Sequence, residues 1–514
     1  MKYTYRFLLF TILSICIYLP ACEFKTAHSQ KPRVVKPNYN VVFIFVDDLR
    51  PELGCYGNNY IHSPNIDGLA SKATVFKKQF VVVPTCGASR ASILTGMLPR
   101  KQQDLSNDVL ELRRSAGRTN TDIPESFVDN LRRNGYYTVG IGKISHSPDG
   151  YIYKYLEPKS ENLELPQSWD EMLLDPGKWG TGWNAFFGYS NGSNRNTLKN
   201  EVKPYEDADV PDDGYPDGLT ANLAVKKLQE LSTKGKPFFL GVGFFKPHLP
   251  FNAPKKYWDM YQESTINLTL SPEIPHGINP LSLHESGEFN TYKLGDERAS
   301  LSAPLSDAYA RKLRHAYYAG ISYVDAQIGK VLNEIKNLGM EKNTIVVLWG
   351  DHGWHLGDDR VWGKHTLSEW ALRSPLIIRT PDMQKGAVCN KIVSAIDVYP
   401  TLMELCGLNI SHPTDGKSLV PLLKDPELKN WNNTAYSYYK KGITVRTDNF
   451  RFTKYFRKEE PTIELYDHNT DANENRNIGK AHPDIIQALI PVLEKGNTGL
   501  YNTQPVEVKK KESN

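Results

Sequence analysis

The sequence predicts an α/β fold: a large, mostly parallel sheet flanked by helices, with a smaller antiparallel subdomain at the C-terminal end. Three observations carry this. Unbroken apolar runs at Asn40–Val46 (NVVFIFV), Tyr136–Ile141, Pro237–Phe245 and Thr344–Trp349 read as strands buried on both faces. Segments with helical spacing of apolar residues, at Phe127–Asn134, Leu219–Thr233 and Arg311–Leu338, alternate with those runs. Strands alternating with helices imply βαβ units around a parallel sheet. After about residue 430 the texture changes to short runs joined by turns: Ala435–Tyr439, Gly442–Thr447, Arg451–Tyr455 and Glu464–Tyr466, closed by a helix near Asp484–Lys495.

Taken in chain order, the first thirty residues read as an export signal. Lys2 and Arg6 precede an apolar run from Phe7 to Leu19, which is too short to span a membrane and is placed as a signal h-region. Leu19-Pro20-Ala21-Cys22 reads as a bacterial lipobox, with Cys22 cleaved and lipidated. Cleavage after Ala27-His28-Ser29 is the competing reading and leaves a soluble, secreted chain. The expected partition is a signal peptide at 1–29, a catalytic domain at 30–430, an α+β subdomain at 431–505 and a basic tail at 506–514. Location follows as periplasm or cell surface, with any membrane contact confined to the N-terminal lipid. At 514 residues and a net charge of +4, the chain is long enough for a sizeable core and carries no field suited to nucleic acid. Cys55, Cys86, Cys389 and Cys406 show no CxxC spacing, which excludes a zinc-ribbon or disulfide-scaffold class. Cys389 and Cys406 could pair after export, but Cys406 falls in the helical run Leu402–Leu408 and is expected to pack.

Each predicted strand ends in chemistry. Asp47-Asp48 follow the first, Lys143 and His146 the second, Lys246-Pro247-His248 the third, and Asp351-His352 the fourth. In doubly wound sheets a site forms beyond the carboxyl ends of the strands, so these four groups converge on one crevice. The stretch Gly150–Gly218 is loop-like yet rich in Tyr and Trp, which argues against disorder; its aromatics pack the loop onto the sheet or line a sugar-binding cleft. Asp47, Asp48 and Asp351 with His352 offer mostly hard oxygen ligands. Such a set suits calcium, magnesium or manganese better than zinc, with the imidazole weakening the case for calcium.

The segment Cys86-Gly87-Ala88-Ser89-Arg90 through Thr95-Gly96 resembles the signature of the sulfatase family, Cys/Ser-x-Pro/Ala-x-Arg followed by Thr-Gly. Asp47-Asp48-Leu49-Arg50-Pro51, Leu53-Gly54-Cys55-Tyr56-Gly57, Ser63-Pro64-Asn65-Ile66-Asp67, Lys246-Pro247-His248 and Asp351-His352-Gly353-Trp354 extend the likeness, which runs from Val41 to about Tyr466. Within the family it is to iduronate-2-sulfatase and bacterial polysaccharide-degrading relatives. Ala88 stands where Pro is commoner, which leaves the maturation enzyme undefined. The resemblance implies an alkaline-phosphatase-like fold, one calcium ion per chain, and oxidation of Cys86 by a maturase to 3-oxoalanine (formylglycine). The hydrated aldehyde would attack sulfur and expel sulfate by re-forming. It further implies metal ligation by Asp47, Asp48, Cys86, Asp351 and His352, and support of the nucleophile by Arg90. Lys143 and Lys364 would bind sulfate, His248 would protonate the leaving oxygen, and His146 would take a proton from the nucleophile.

The chemistry explains why such groups are needed. A sulfate monoester is an anion with a poor alkoxide leaving group, so its hydrolysis requires positive charge, a strong nucleophile and a proton donor. The expected substrate is a sulfated, uronate-containing oligo- or polysaccharide, ulvan or a glycosaminoglycan, with Lys364, Arg360 or His365 as the cation for the uronate. His355 and Lys246 stand near the same motifs. Two other readings remain. One is a phosphomonoester or phosphonate hydrolase of the same superfamily, disfavoured by the Cys nucleophile and the lack of a second ligand cluster. The other is an inactive carbohydrate-binding lipoprotein, disfavoured by the completeness of the residue set.

Overall fold

The computed structural model describes residues 39–115 and 124–501. The signal segment with Cys22 and the basic tail 506–514 lie outside the described residues. Strands β1 (Asn40–Val46), β2 (Thr74–Phe80), β3 (Tyr137–Gly142), β4 (Glu171–Leu173), β5 (Phe238–Phe244), β6 (Thr344–Gly350), β7 (Leu376–Arg379) and β8 (Ala387–Ser394) form one sheet. Their order is β8-β2-β7-β6-β1-β5-β3-β4. Only β7 runs antiparallel to its neighbours in this sheet; the remaining pairings are parallel.

The central strands β1, β5 and β6 are buried along their whole length, as an unbroken apolar run requires when both faces are covered. Alternate residues of β1 serve different layers. Val42, Ile44 and Val46 join the core under α3 (Pro216–Ser232) and α4 (Asp307–Asn337). Val41, Phe43 and Phe45 join the opposite core under α2 (Phe127–Arg133) and α5 (Val398–Leu405). The remaining helices of note are α1 (Cys86–Thr95) and α6 (Pro483–Glu494).

The sequence reading missed β2, β7 and β8. Lys77 and Lys78 interrupt β2, and β8 carries exposed or half-buried Val388, Asn390 and Lys391, so neither presents an uninterrupted apolar run. Gly150–Gly218 is also more structured than loop-like, since it contributes the edge strand β4 and the short helix Gly182–Phe186. Tyr153, Trp179, Trp183, Phe186 and Phe187 pack there into a small core with Phe245. The α4 helix starts four residues before its expected beginning, where Ser306 Oγ accepts from the Tyr309 amide at 3.3 Å.

The C-terminal strands β9 (Ala435–Tyr439), β10 (Gly442–Arg446), β11 (Phe450–Tyr455) and β12 (Ile463–Asp467) form an antiparallel meander covered by α6. Its core is shared with Val82, Val83 and Ala88, so this sheet packs directly against the segment leading into α1. All four described cysteines are free, and Cys389 and Cys406 are both buried thiols.

Candidate active site

Register places the four predicted strand ends level. Val46 of β1 pairs with Phe244 of β5 and Gly350 of β6, while Gly142 of β3 pairs with Gly243 of β5. The chain therefore leaves the sheet at one edge as Asp47, Lys143, Phe245 and Asp351. Hydrogen bonds from Asp47 N to Phe244 O (3.3 Å), Asp351 N to Val46 O (3.2 Å) and Lys143 N to Gly243 O (3.1 Å) continue the ladder across it. Gly142, at φ 74°, has no room for a side chain, because a Cβ there would lie 2.3 Å from Gly243 O. Asp48 adopts φ 56°, a conformation rare outside glycine and tolerated where surrounding contacts enforce it.

Facing these ends is the start of α1, whose residues are all buried. Cys86 is its first residue, and Gly96 at φ 69° closes it in the left-handed conformation usual for a helix stop. The helix N-terminus adds partial positive charge beside the thiol, with the Gly87 amide donating to Asn107 Oδ1 at 2.9 Å. Arg90, one turn on, is fully buried and ties the site together. Its Nη2 donates to Asp47 Oδ1 at 2.9 Å, its Nε to Asp351 Oδ2 at 3.0 Å, and its Nη1 to Lys143 O.

Three carboxylates and three cations make a nearly closed network. Lys143 Nζ lies 2.8 Å from Asp47 Oδ1, and Lys364 Nζ lies 3.0 Å from Asp48 Oδ1. Asp351 Oδ1 accepts from the Asp48 amide at 2.9 Å. Burial pushes the Asp47 carboxyl up, but Lys143 and Arg90 overcome it and hold the group well below the usual carboxylate range. At Asp48 burial wins over Lys364 and His352 and holds the carboxyl well above that range.

The two histidines have fixed tautomers. His352 Nδ1 is 2.9 Å from Gly353 O, so Nδ1 carries the hydrogen. Its Nε2 then faces Cys86 Sγ at 3.2 Å and Asp48 Oδ1 at 3.4 Å, the orientation of a metal-ligating imidazole. His248 Nδ1 donates to Leu249 O, and its Nε2 lies 2.9 Å from Glu288 Oε1. His248 Nε2 thus faces the Glu288 carboxylate, which fixes the orientation of the ring. Burial, then Lys364, pushes His248 down to about 4, with Glu288 pulling in the opposite direction.

Not every expected residue makes direct contact. His146 lies against the Trp183 ring at 5.4 Å, with its Nδ1 buried and unpartnered among the described residues. Burial and then Lys143 hold it well below the usual imidazole range, so the ring is neutral. His355 turns away to Asp358 O and Thr366 Oγ1. Arg360 bonds Glu273 and the carbonyls of Leu301 and Ser302. His365 stacks on Tyr439 of the C-terminal sheet at 5.5 Å. Lys246 donates to the His248 and Pro250 carbonyls, and Asp217 accepts from the Phe245 and Lys246 amides at 2.8 Å each; both groups fix the segment bearing His248.

Glu288 had no sequence signal, since it lies between Leu281 and Ser306 in a stretch without motif or long element. It bonds both His248 and Lys364, the latter at 3.1 Å. Burial pushes Glu288 up, and Lys364 and His248 override it to hold the carboxylate well below the usual range.

The residue set fits a hard divalent cation. Ligand atoms of Asp47, Asp48, Cys86 and His248 lie within 4.8 Å of one another, as do those of Cys86, Asp351 and His352. Asp47 Oδ2 is buried with no partner among the described residues, an orphaned acceptor of the kind an ion satisfies. Burial pushes the Cys86 thiol up to about 12, with Lys143 and Lys364 opposing, so the unmodified side chain is a neutral thiol and a weak nucleophile at pH 7.

A mixed sheet with buried carboxylates and a helix-start cysteine at one edge has an alkaline-phosphatase-like fold. The sulfatase family profile matches residues 39–408, and a profile described as N-sulphoglucosamine sulphohydrolase, C-terminal, matches 350–496. A sulfatase of Formosa agariphila is 31% identical, covering 98% of this chain and 96% of its own. Human iduronate 2-sulfatase is 30% identical over 72% of this chain and 69% of its own. An ulvan-active sulfatase of Formosa agariphila is 28% identical over 81% and 70%. A solved structure holding its substrate D-glucosamine-2-N,6-O-disulfate superposes with a TM-score of 0.64 at 20% identity, covering 92% of this chain and all of that one. The phosphonate monoester hydrolase of Agrobacterium radiobacter does so at 0.69 and 21%, covering 89% and 95%, so fold by itself does not choose the ester. The chain belongs to the sulfatase family and is a sulfuric ester hydrolase.

Proposed function

We propose that this enzyme removes sulfate from uronate-containing carbohydrates, ulvan or glycosaminoglycan oligosaccharides, at the surface or in the periplasm of the cell that exports it. The observation that carries the reading is the meeting, at one sheet edge, of three buried carboxylates, three buried cations and Cys86 at a helix start. The kinship to iduronate 2-sulfatase and to an ulvan-active sulfatase supports the substrate class.

In this proposal Asp47, Asp48, Asp351 and His352 hold calcium, and Cys86 is converted by a maturase to formylglycine. Together those groups supply a strong oxygen nucleophile and positive charge beside the sulfate. The chain's own residues do the rest. Arg90 orients Asp47 and Asp351 from behind, through its forked bonds to both. Lys143 and Lys364 place ammonium groups at the anion's oxygens. His248, oriented by Glu288, protonates the departing sugar oxygen, and His146 accepts a proton on the nucleophile side. Glu288 keeps the His248 ring oriented, much as a carboxylate orients imidazole in other acid–base pairs.

The test compares release of sulfate from an aryl sulfate with release of phosphate from the matching aryl phosphate, then surveys defined ulvan, heparin and chondroitin oligosaccharides by ion chromatography. Sulfate release from a uronate-bearing oligosaccharide is the expected result. Faster phosphate than sulfate release, or activity confined to sugars without uronate, would overturn the reading.

A further inference from the structure

A uronate or a second sulfate on the sugar needs a cation other than those committed to the reacting centre. Sequence proximity suggests Lys364, Arg360 and His365, and the structure commits each elsewhere. Lys364 is held by Asp48 and Glu288, Arg360 by Glu273 and two carbonyls, and His365 lies stacked on Tyr439.

Arg195, in the aromatic stretch between β4 and α3, is different. Only 8% exposed, it has no carboxylate within ion-pair distance among the described residues. Its guanidinium carbon stands 3.5 Å over the Phe187 ring and 5.4 Å from that of Tyr292. Among the described residues its side chain makes one long hydrogen bond, from Nη1 to Tyr292 Oη at 3.5 Å, and its Nε is buried without a partner. The backbone is fixed, with Arg195 N donating to Phe187 O at 3.2 Å and Asn200 N donating to Arg195 O at 2.9 Å. A guanidinium this buried and lacking an anion is poorly compensated, whereas one laid on aromatic faces is held flat and ready for a planar partner.

Its position relates it to the reacting groups. Phe187 lies 6.3 Å from the His248 ring and 5.5 Å from the half-exposed Tyr155 ring. Burial pushes the Tyr155 hydroxyl up, with Arg195 and Lys143 pulling it down and Glu288 and Cys86 adding to the rise, so this hydroxyl senses Arg195 and the nucleophile position together.

We propose that Arg195 is a specificity-determining residue that binds a second oxyanion of the substrate sugar, a carboxylate by preference because its fork matches a carboxylate plane. The inference rests on the sulfatase reading of the site and names the group that selects its substrates. Both anions would then be gripped by separate cations, the scissile sulfate by Lys143 and Lys364 and the uronate by Arg195.

The experiment compares wild type, Arg195→Gln and Arg195→Lys on four probes: an aryl sulfate, a sulfated uronate disaccharide, the same disaccharide with its carboxyl reduced to an alcohol, and a disulfated hexosamine. For Arg195→Gln, KM on the uronate disaccharide should rise roughly ten- to hundredfold with kcat falling less than about threefold, as loss of a charged hydrogen bond to a ground-state group predicts. On the aryl sulfate and the carboxyl-reduced disaccharide the change in kcat/KM should stay under about threefold, and Arg195→Lys should recover part of the loss. Equal losses on the acid and its reduced form would overturn the proposal. A loss confined to the disulfated hexosamine would retain the oxyanion role and overturn the carboxylate preference. Absence of turnover on every probe by wild type would sink the sulfatase substrate reading instead. Calorimetric binding of the uronate disaccharide to that protein, lost or retained in Arg195→Gln, would still decide the role of Arg195.

Discussion

Arg90 offers the sharpest test of how the site is held together. Its side chain and its partners Asp47 and Asp351 are all at 0% exposure, with bonds of 2.9 and 3.0 Å. Arg90→Gln leaves two buried carboxylates with fewer partners, a change that costs about 3–5 kcal/mol when a buried pair is broken. Unfolding entropy of about 2.1 cal/mol/K per residue, over roughly 450 ordered residues, gives about 1 kcal/mol/K. The melting midpoint in chelator should therefore fall by about 3–5 °C. Arg90→Lys keeps the charge but cannot span both carboxylates and the Lys143 carbonyl, so its midpoint should lie between those of the other two proteins. Because Arg90→Gln leaves the carboxylates less neutralised, added calcium should raise its midpoint by more than it raises that of wild type. The assay is thermal unfolding followed by circular dichroism, with chelator and with calcium. A Gln variant that melts within 1 °C of wild type in chelator, or a calcium shift no larger than in wild type, would refute this account of the network.

Three further outcomes are expected. Coexpressed with a competent maturase, the tryptic peptide Gln79–Arg90 should carry formylglycine at Cys86 by mass spectrometry, and Cys86→Ala should fold yet lose turnover; full activity in that variant would end the mechanism. His248→Ala should slow alkyl-type sulfates by roughly a hundredfold or more and activated aryl sulfates far less, because a good leaving group needs little protonation; equal losses would point to sulfate positioning instead. Burial holds Asp217 up at about 6 in the fold, so its contribution is complete below its unfolded pKa near 3.8 and fades as pH rises through 6. Asp217→Asn should accordingly destabilise the protein more at pH 4.5 than at pH 7.5, by about 2 kcal/mol in urea titrations; a penalty independent of pH would refute the raised value.

The parts legible in the sequence are those where burial on both faces leaves an unmistakable mark. β1 could be read residue for residue because every position in NVVFIFV is buried. The convergence of Asp47, Lys143, His248 and Asp351 followed from strand ends alone, since parallel strands in register must deliver their next residues to one edge. Strands β2 and β8 were illegible because polar side chains face solvent along part of their length. Glu288 and Arg195 were illegible for another reason. Each sits in irregular chain, where neither periodicity nor spacing ties a residue to a distant site, and each matters only through tertiary neighbours that the fold supplies.

The charge distribution implies that cation and sulfate affinity are linked. Lys143 and Lys364, which would hold the sulfate, are here hydrogen-bonded to Asp47 and Asp48, which would hold the cation. A lysine ammonium bonded to a carboxylate at 2.8–3.0 Å has fewer donors and less net field to offer an anion. Carboxylates engaged by a divalent ion would have less hold on the lysines, which then face a net positive site suited to a doubly charged oxyanion transition state. Glu288 sets the limit on that release, since it retains Lys364 and His248 whatever Asp48 does. Glu288, outside the proposed ligand set, thus holds His248 and Lys364 next to each other, where they would act as proton donor and sulfate-binding cation.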